Sequence, residues 1–497
     1  MQKKILYNEF VLYGFSLLIC VLSYGYSLSN YTLTVDSESP VFPDYSMGLG
    51  RWGTNLIRYG IFEGLLPYIT LLIGLVFLSL SAVELTKIFR FHNIYAFIFC
   101  ALFLTFPQHS YQLAFTMQAD AVPIGFFCSI VAVNLFTTGI ANVKLVPVPN
   151  LAKIIASCLL ILVSIAIYQA LVFIPIIVFI IYFFINTYNT EYNLKRELIR
   201  AAYFILLMAI ASILYYLSVK IFCTGVEEGY LSSYTSGNSG NKFKDFYDLL
   251  ISNLKGNFYY GEKTYLFATL SGILLFIMIF IKKQNILLKL LCILSLLILP
   301  YIISFFITNG YHPPRLYVTS TIVYGFLITY VLKVINVRFA RQVLFFVLII
   351  ALTNIYLITN LFTSAHKIYT HDLYVAREIN KTIFDKYPDF NPDQDYVYFY
   401  GALPASNHDK IQIPNTDVFS GSILRWDGGH NWRIINFFRV NDIGYYRFLD
   451  DKESFNKVKD SISSLPIWPN PEAVKKINNV VIVKLGDQQG APLPIQQ

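Results

Sequence analysis

Asp36 and Glu38 stand one residue apart in Val35-Asp36-Ser37-Glu38. On an extended backbone their side chains share a face, and on a turn they can still converge. Either arrangement lets one carboxylate act as a base while its neighbour hydrogen-bonds to it or raises its pKa. Asp44 follows, then Gly50-Arg51-Trp52-Gly53, with Arg58 behind. Arg51 and Arg58 are seven residues apart, which is two turns and one face of an α-helix. A guanidinium at headgroup depth suits a phosphate, because it offers planar bidentate hydrogen bonds and stays charged. Arg315 holds the only charge in Thr308-Asn309-Gly310-Tyr311-His312-Pro313-Pro314-Arg315, a loop stiffened by two prolines. Tyr168-Gln169 and Gln108-His109-Ser110 add neutral hydrogen-bonding groups. The competing reading is that Trp52 and the arginines anchor at lipid headgroups, Tyr168 belongs to an interfacial belt and the acids are solvated. Asp36, Glu38 and Asp44 could hold an ion through oxygen ligands, which leaves a divalent ion open. His109 and His312 lack further ligands at metal spacing, and the six cysteines form neither a metal pattern nor a disulfide framework, so no metal site and no other cofactor is expected.

These residues sit among apolar runs that must position them. With 56% hydrophobic and 14% charged residues, the chain is too apolar for a soluble protein and reads as a polytopic α-helical membrane protein. Segments near 10–28, 65–83, 94–107, 121–140, 151–168, 170–186, 201–219, 265–281, 290–308, 317–332 and 342–360 are candidate spans, about eleven in all and almost free of ionisable side chains. The third is short, and only Tyr168-Gln169 separates the fifth from the sixth, so a tilted or re-entrant segment is open. Lys3 and Lys4 before the first run resemble a signal peptide, but no small-residue cleavage site follows, and an uncleaved first span is expected.

The positive-inside bias places the N-terminus in the cytoplasm: fifteen Lys and Arg then fall inside, against eight outside in the membrane part. Asp36, Glu38 and Asp44 fall outside, and an odd number of spans puts the C-terminus there too. The net charge of +8 does not point to nucleic acid, because residues 361–497 carry 15 Lys/Arg against 16 Asp/Glu and the excess lies in the membrane part. The expected division is a transmembrane domain over 1–360, with its first outer loop at 29–64 carrying the chemistry, and a small α/β domain over 361–497. In that domain an amphipathic helix is expected near Asp372 to Lys386, with strand-like runs at Tyr396–Tyr400, Trp432–Val440 and Val480–Val483. Trp426, His430 and Trp432 could stack on sugar rings, although core packing explains Trp432 equally well. The outer segment from Cys223 to Lys263 reads as a mobile lid or a plain connector.

Taken in order, Val35-Asp36-Ser37-Glu38, Gly50-Arg51-Trp52-Gly53, Tyr168-Gln169-Ala170, Pro313-Pro314-Arg315 and a C-terminal part rich in Tyr and Trp resemble the serotype-converting O-antigen glucosyl transferases, the Gtr-type polytopic enzymes. The resemblance implies a GT-C-like membrane glycosyltransferase that moves glucose from a polyprenyl-phosphate carrier to a lipid-linked O-antigen repeat of lipopolysaccharide. The expected place is the periplasmic face of the bacterial inner membrane. It also implies an acidic catalytic base in the first outer loop, which carries over to Asp36 or Glu38. Arg51, Arg58 and Arg315 would then serve the leaving phosphate, with Trp52, Asp44, Tyr168, Gln169 and His312 lining the substrate. A transporter or flippase of lipid-linked sugars is the reading from another class. It fits less well, because the spans are nearly uncharged and no internal repeat is visible. A GT-C enzyme with another acceptor, such as lipid A or protein, shares the whole layout.

Overall fold

The computed structural model describes residues 9–38, 43–61, 68–140, 150–188, 193–223, 241–282, 285–307, 312–335, 340–404, 413, 416–449 and 452–487. Contacts divide the chain into two compact units, one of Met1–Ser29 with Phe42–Thr359 and the other of Asn30–Val41 with Asn360–Gln497. One continuous helix, Ala340–Lys386, runs through the division at Thr359. The amphipathic segment expected near Asp372 to Lys386 is the end of this helix.

The first unit is helical. Among the described residues, eight helices are long and apolar enough to cross a membrane: Glu9–Ser29, Ile69–Ile88, Ala121–Ile140, Gln169–Asn186, Leu194–Phe222, Glu262–Ile281, Ile286–Phe306 and the stretch that begins at Gln342. Three shorter apolar helices, Ile94–Thr105, Leu151–Ile167 and Ser320–Ile335, lie where the sequence marks further candidate spans. Some hydroxyls in these helices are satisfied locally: Ser79 Oγ donates to Leu75 O at 2.8 Å and Thr105 Oγ1 to Ala101 O at 2.7 Å. Such bonds let a polar residue sit in an apolar helix without an orphaned group. The Tyr168-Gln169 interruption is real. The helix Leu151–Ile167 stops at Tyr168, whose backbone is extended, and a 3-10 turn Gln169–Val172 leads into the helix Phe173–Asn186.

The second unit is a three-layer α/β arrangement. Its sheet has the strands β1 (Tyr396–Tyr400), β2 (Arg447–Phe448), β3 (Val474–Ile477) and β4 (Val480–Lys484), in the order β2-β1-β4-β3. β1 runs parallel to both β2 and β4, while β3 is antiparallel to β4. β4 is buried along its whole length, and its Val-Val-Ile-Val run is what a strand covered on both faces requires. Val397, Phe399, Val481 and Val483 face one core with the helices at 375–383 and Asn431–Val440, and Tyr398, Val480 and Ile482 face another with the helix Lys452–Ile462. The run expected to be a strand at Trp432–Val440 is the helix Asn431–Val440. The reason is its spacing: Ile434, Ile435, Phe437 and Phe438, all buried, recur at the intervals of a helical stripe and do not alternate.

Leu33 and Val35 belong to the first of these cores, at 3% and 1% exposure. Period-two alternation in Leu33-Thr34-Val35 sends both apolar side chains into a core whose other members come from residues 369–485. The segment that bears Asp36 is thus an integral piece of the second unit.

Candidate active site

The carboxylates come first. Ser37 N donates to Thr34 O at 3.0 Å and closes a turn, and Asp36 occupies its third position at φ 72°. That position belongs by preference to Gly or Asn. A left-handed backbone costs an ordinary residue about 1–2 kcal/mol, least for Asp and Asn. Arg433, on the first turn of the helix Asn431–Val440, meets Asp36 there. Its guanidinium spends a different nitrogen on each of three carboxylates: Nη2 on Asp36 Oδ1 at 2.9 Å, Nη1 on Glu38 Oε1, and Nε on Asp427 Oδ2 at 2.7 Å. Asp427 is itself left-handed at φ 51°, and Gly428 and Gly429 continue the positive backbone at 72° and 82°. A Cβ on Gly429 would come within 2.1 Å of Gly401 O, so this tight bend tolerates only glycine.

The two acids expected to share one role are placed differently. Glu38 is fully buried and its Oε2 accepts no hydrogen bond from the described residues, whereas the Asp36 side chain is 43% exposed. Burial pushes the Glu38 carboxyl above its ordinary value, against the opposing pull of Arg433. Burial also works against the charge of Arg433, but Glu38, Asp36 and Asp427 outweigh it and hold its pKa up. His430 is kept toward its neutral form by burial and by Arg433, with Asp427 opposing. Trp426 packs against the core, and Trp432 is half-buried.

In the first unit the arginines separate. Arg51 lies against the Tyr168-Gln169 break: its guanidinium is 4.8 Å from the Tyr168 ring centroid, and its Nε donates to Gln169 Oε1 at 3.2 Å. Gln169 Nε2 donates to Leu49 O at 2.8 Å and to Tyr215 OH at 3.0 Å, and Tyr215 OH donates to Gly50 O. Trp52 Nε1 donates to Ser218 Oγ at 2.9 Å, and Thr54 Oγ1 to Ile167 O at 2.7 Å. A Cβ on Gly53 would meet Ile167 N at 2.8 Å, so glycine is what lets this segment lie on the broken helix. Arg51, Trp52, Tyr168 and Gln169 therefore form one cluster.

Arg58 faces elsewhere. The helix Trp52–Asn55 widens into a π-helical turn, Leu56–Ile61, so seven residues no longer make two turns and the shared face expected for Arg51 and Arg58 is absent. Arg58 is 1% exposed, pairs with Asp120 at 2.7 Å and donates to Met117 O at 2.8 Å. Burial raises the Asp120 carboxyl while Arg58 opposes the shift. Arg315 lies over the Phe115 ring at 4.6 Å, and Gln108 Nε2 donates to Pro314 O. His312 accepts from Tyr259 OH through its carbonyl at 2.9 Å, its Nδ1 lies 3.3 Å from Tyr317 OH, and burial lowers its pKa. Asp44 is on the short helix Pro43–Gly48, but its side chain lies outside the described residues, as do residues 224–240 of the expected lid.

Arg433 and Asp427 escape a reading by motif, because they lie 395 and nearly as many residues from Glu38. The sequence signal that bears on them is Asp427-Gly428-Gly429, a bend of three left-handed residues just before a helix. Among the described residues no group of three or more His, Cys, Asp or Glu is arranged to hold a metal ion. No curated protein and no solved structure matches the chain. Compared with protein families, residues 25–332 match the one described as Glucosyl transferase GtrII, a stretch that contains Asp36, Glu38, Arg51, Arg58 and Arg315 and stops short of Arg433. With well over half its length matched, and with helices able to span a bilayer, the chain belongs to the GtrII family of glucosyl transferases.

Proposed function

We propose that the protein transfers glucose or a related hexose from a polyprenyl-phosphate carrier to an O-antigen repeat unit, and that Asp36 is the base. The family match supports glucosyl transfer. The exposure of Asp36 beside a buried Glu38 supports the choice of base, because a proton acceptor must reach the acceptor hydroxyl. In this reading Asp36 takes the proton from the hydroxyl as its oxygen attacks the anomeric carbon. The bond from that carbon to the phosphate oxygen breaks, and the electron pair leaves with the polyprenyl phosphate. A single displacement inverts the anomeric centre. Arg51 and Arg315 are the guanidiniums suited to the departing phosphate, whereas Arg58 already matches Asp120. Tyr168, Gln169, Trp52 and His312 orient these groups or the sugar.

The chemistry explains the setting. Each buried CH₂ of a polyprenyl tail is worth about 0.8 kcal/mol, so the donor stays in the bilayer and its phosphate stays at headgroup depth. With eleven spans, the positive-inside bias supports a cytoplasmic N-terminus and an acidic site on the periplasmic side of the inner membrane. Membranes containing the wild-type chain should transfer labelled glucose from polyprenyl-phosphate glucose to O-antigen, and Asp36→Asn should lower transfer about 10²- to 10⁴-fold at unchanged protein level. Full activity in that variant would remove Asp36 from the mechanism, and an inactive wild type would remove this donor.

A further inference from the structure

We propose that Arg433 is a positioning residue: through its three-way fork it fixes the turn at Asp36 and divides the two acids, Glu38 as buried anchor and Asp36 as the working group. The inference rests on the reading of Asp36 as base, and it reaches outside the matched family segment, which ends at residue 332. Three observations carry it. The guanidinium gives a separate nitrogen to each of Asp36, Glu38 and Asp427, so every nitrogen of the fork is engaged by a carboxylate. Two of those acids sit on left-handed backbone, at φ 72° and φ 51°, a conformation that persists where surroundings over-determine it. Glu38 is at 0% exposure with its other oxygen bonded to none of the described residues, a setting closed to a group that must exchange protons with substrate.

The geometry assigns a job to each partner. Asp427 and Glu38 orient the guanidinium from two sides, and the remaining Nη2 meets the exposed carboxylate at 2.9 Å. With three carboxylates on one arginine the cluster is formally negative by two, and His430, on the same bend, is held toward neutrality. Asp36 is thus the exposed member of a cluster with a surplus of carboxylates, and its position is pinned. The charged and titratable groups around the fork are Arg433 and His430 from the helix and its entry, Asp427 from the bend and Glu38 from the turn of Asp36 itself. His366, from the long helix, meets the same segment at Thr32, 3.0 Å away. Lysine cannot replace the fork, since an ammonium is a point charge without fixed planar donors.

The test uses the full-length protein in membranes or detergent. Arg433→Ala should lower kcat by about 10²-fold, the scale of a small misplacement of a reacting group, with little change in KM for polyprenyl-phosphate glucose. Arg433→Lys, which keeps the charge and loses the fork, should leave kcat depressed as well, again with little change in KM. The exposed Arg447→Ala should change neither. Hydrogen exchange over residues 30–38 gives a readout without substrate: Arg433→Ala should lose protection there, and unchanged protection overturns the proposal. Wild-type kcat in Arg433→Ala overturns it as well, even with Asp36→Asn strongly impaired. An inactive wild type would fault the proposed donor, and the exchange measurement would still decide whether Arg433 holds the turn.

Discussion

Arg58 and Arg433 each meet carboxylate, and they do so in opposite ways. Among the described residues Arg58, 1% exposed, pairs with Asp120 and donates further bonds to backbone carbonyls. Arg433 has three acidic partners, and its side chain is 18% exposed. The pair at Arg58, sealed from water, is a stitch between segments. The cluster at Arg433 sets three carboxylates against one guanidinium and is open at Asp36. The difference teaches that two arginines beside acids are told apart by the exposure and number of the acids they meet.

The largest effect that would sharpen the contrast is at Asp36. Asn is at home on left-handed backbone, so Asp36→Asn removes charge with little strain, and kcat should fall about 10²- to 10⁴-fold with an unchanged melting profile. A comparable loss of stability instead would make the two arginine centres alike. Arg58→Ala should do the reverse: it leaves Asp120 buried without its counter-charge, at a cost of about 3–5 kcal/mol, read as a large drop in the melting midpoint in detergent. Replacing Arg58 and Asp120 together by apolar residues of similar volume should recover most of that loss, and failure to recover would give the pair a role beyond stitching. A smaller effect is expected for Arg51→Lys, which keeps charge but forfeits the bond to Gln169 and the stack on Tyr168. The KM for the lipid donor should rise by about 5- to 10-fold, the scale of one hydrogen bond, while kcat changes little.

The smallest concerns pH. Because the folded Glu38 carboxyl is raised above its unfolded value, the folded chain keeps that proton to higher pH than the unfolded chain does. The contribution of this group to stability is therefore highest at low pH and declines as pH rises from about the ordinary carboxylate value through the raised one. Melting midpoints of the wild type relative to Glu38→Gln should fall across that window, and a difference independent of pH would contradict the burial of Glu38 as a titrating group.

The sequence makes legible what depends on nearby residues. Long apolar runs require a bilayer or a buried core, and the Tyr168-Gln169 interruption appears as the break where Arg51 docks. Tyr396–Tyr400 and Val480–Lys484 are strands because their aromatic and β-branched residues fit a covered sheet. The stretch at 432–440 misleads because aromatic and β-branched residues also suit a helix whose apolar face is buried, and only the spacing of Ile434, Ile435, Phe437 and Phe438 decides. The divergence of Arg51 and Arg58 depends on a change of helical pitch at Leu56, which no residue type there announces. The carboxylate pair is visible as Asp-Ser-Glu, but its asymmetry is not: it arises from a partner 395 residues away. Leu33 and Val35, which look like the edge of a loop, are core residues for the same reason.

That last feature bears on how the molecule is made. A ribosome releases residues 30–38 early, yet the core that receives Leu33 and Val35 and the arginine that clamps Asp36 are supplied by residues 369–485. A nascent chain of three hundred residues can already thread most of its apolar helices while its acidic turn has no pocket to enter. Bringing the ends of so long a loop together carries an entropic penalty that local structure cannot relieve. Catalytic competence is therefore expected as one of the final events of biogenesis, and a chain that terminates early should be inserted and inert.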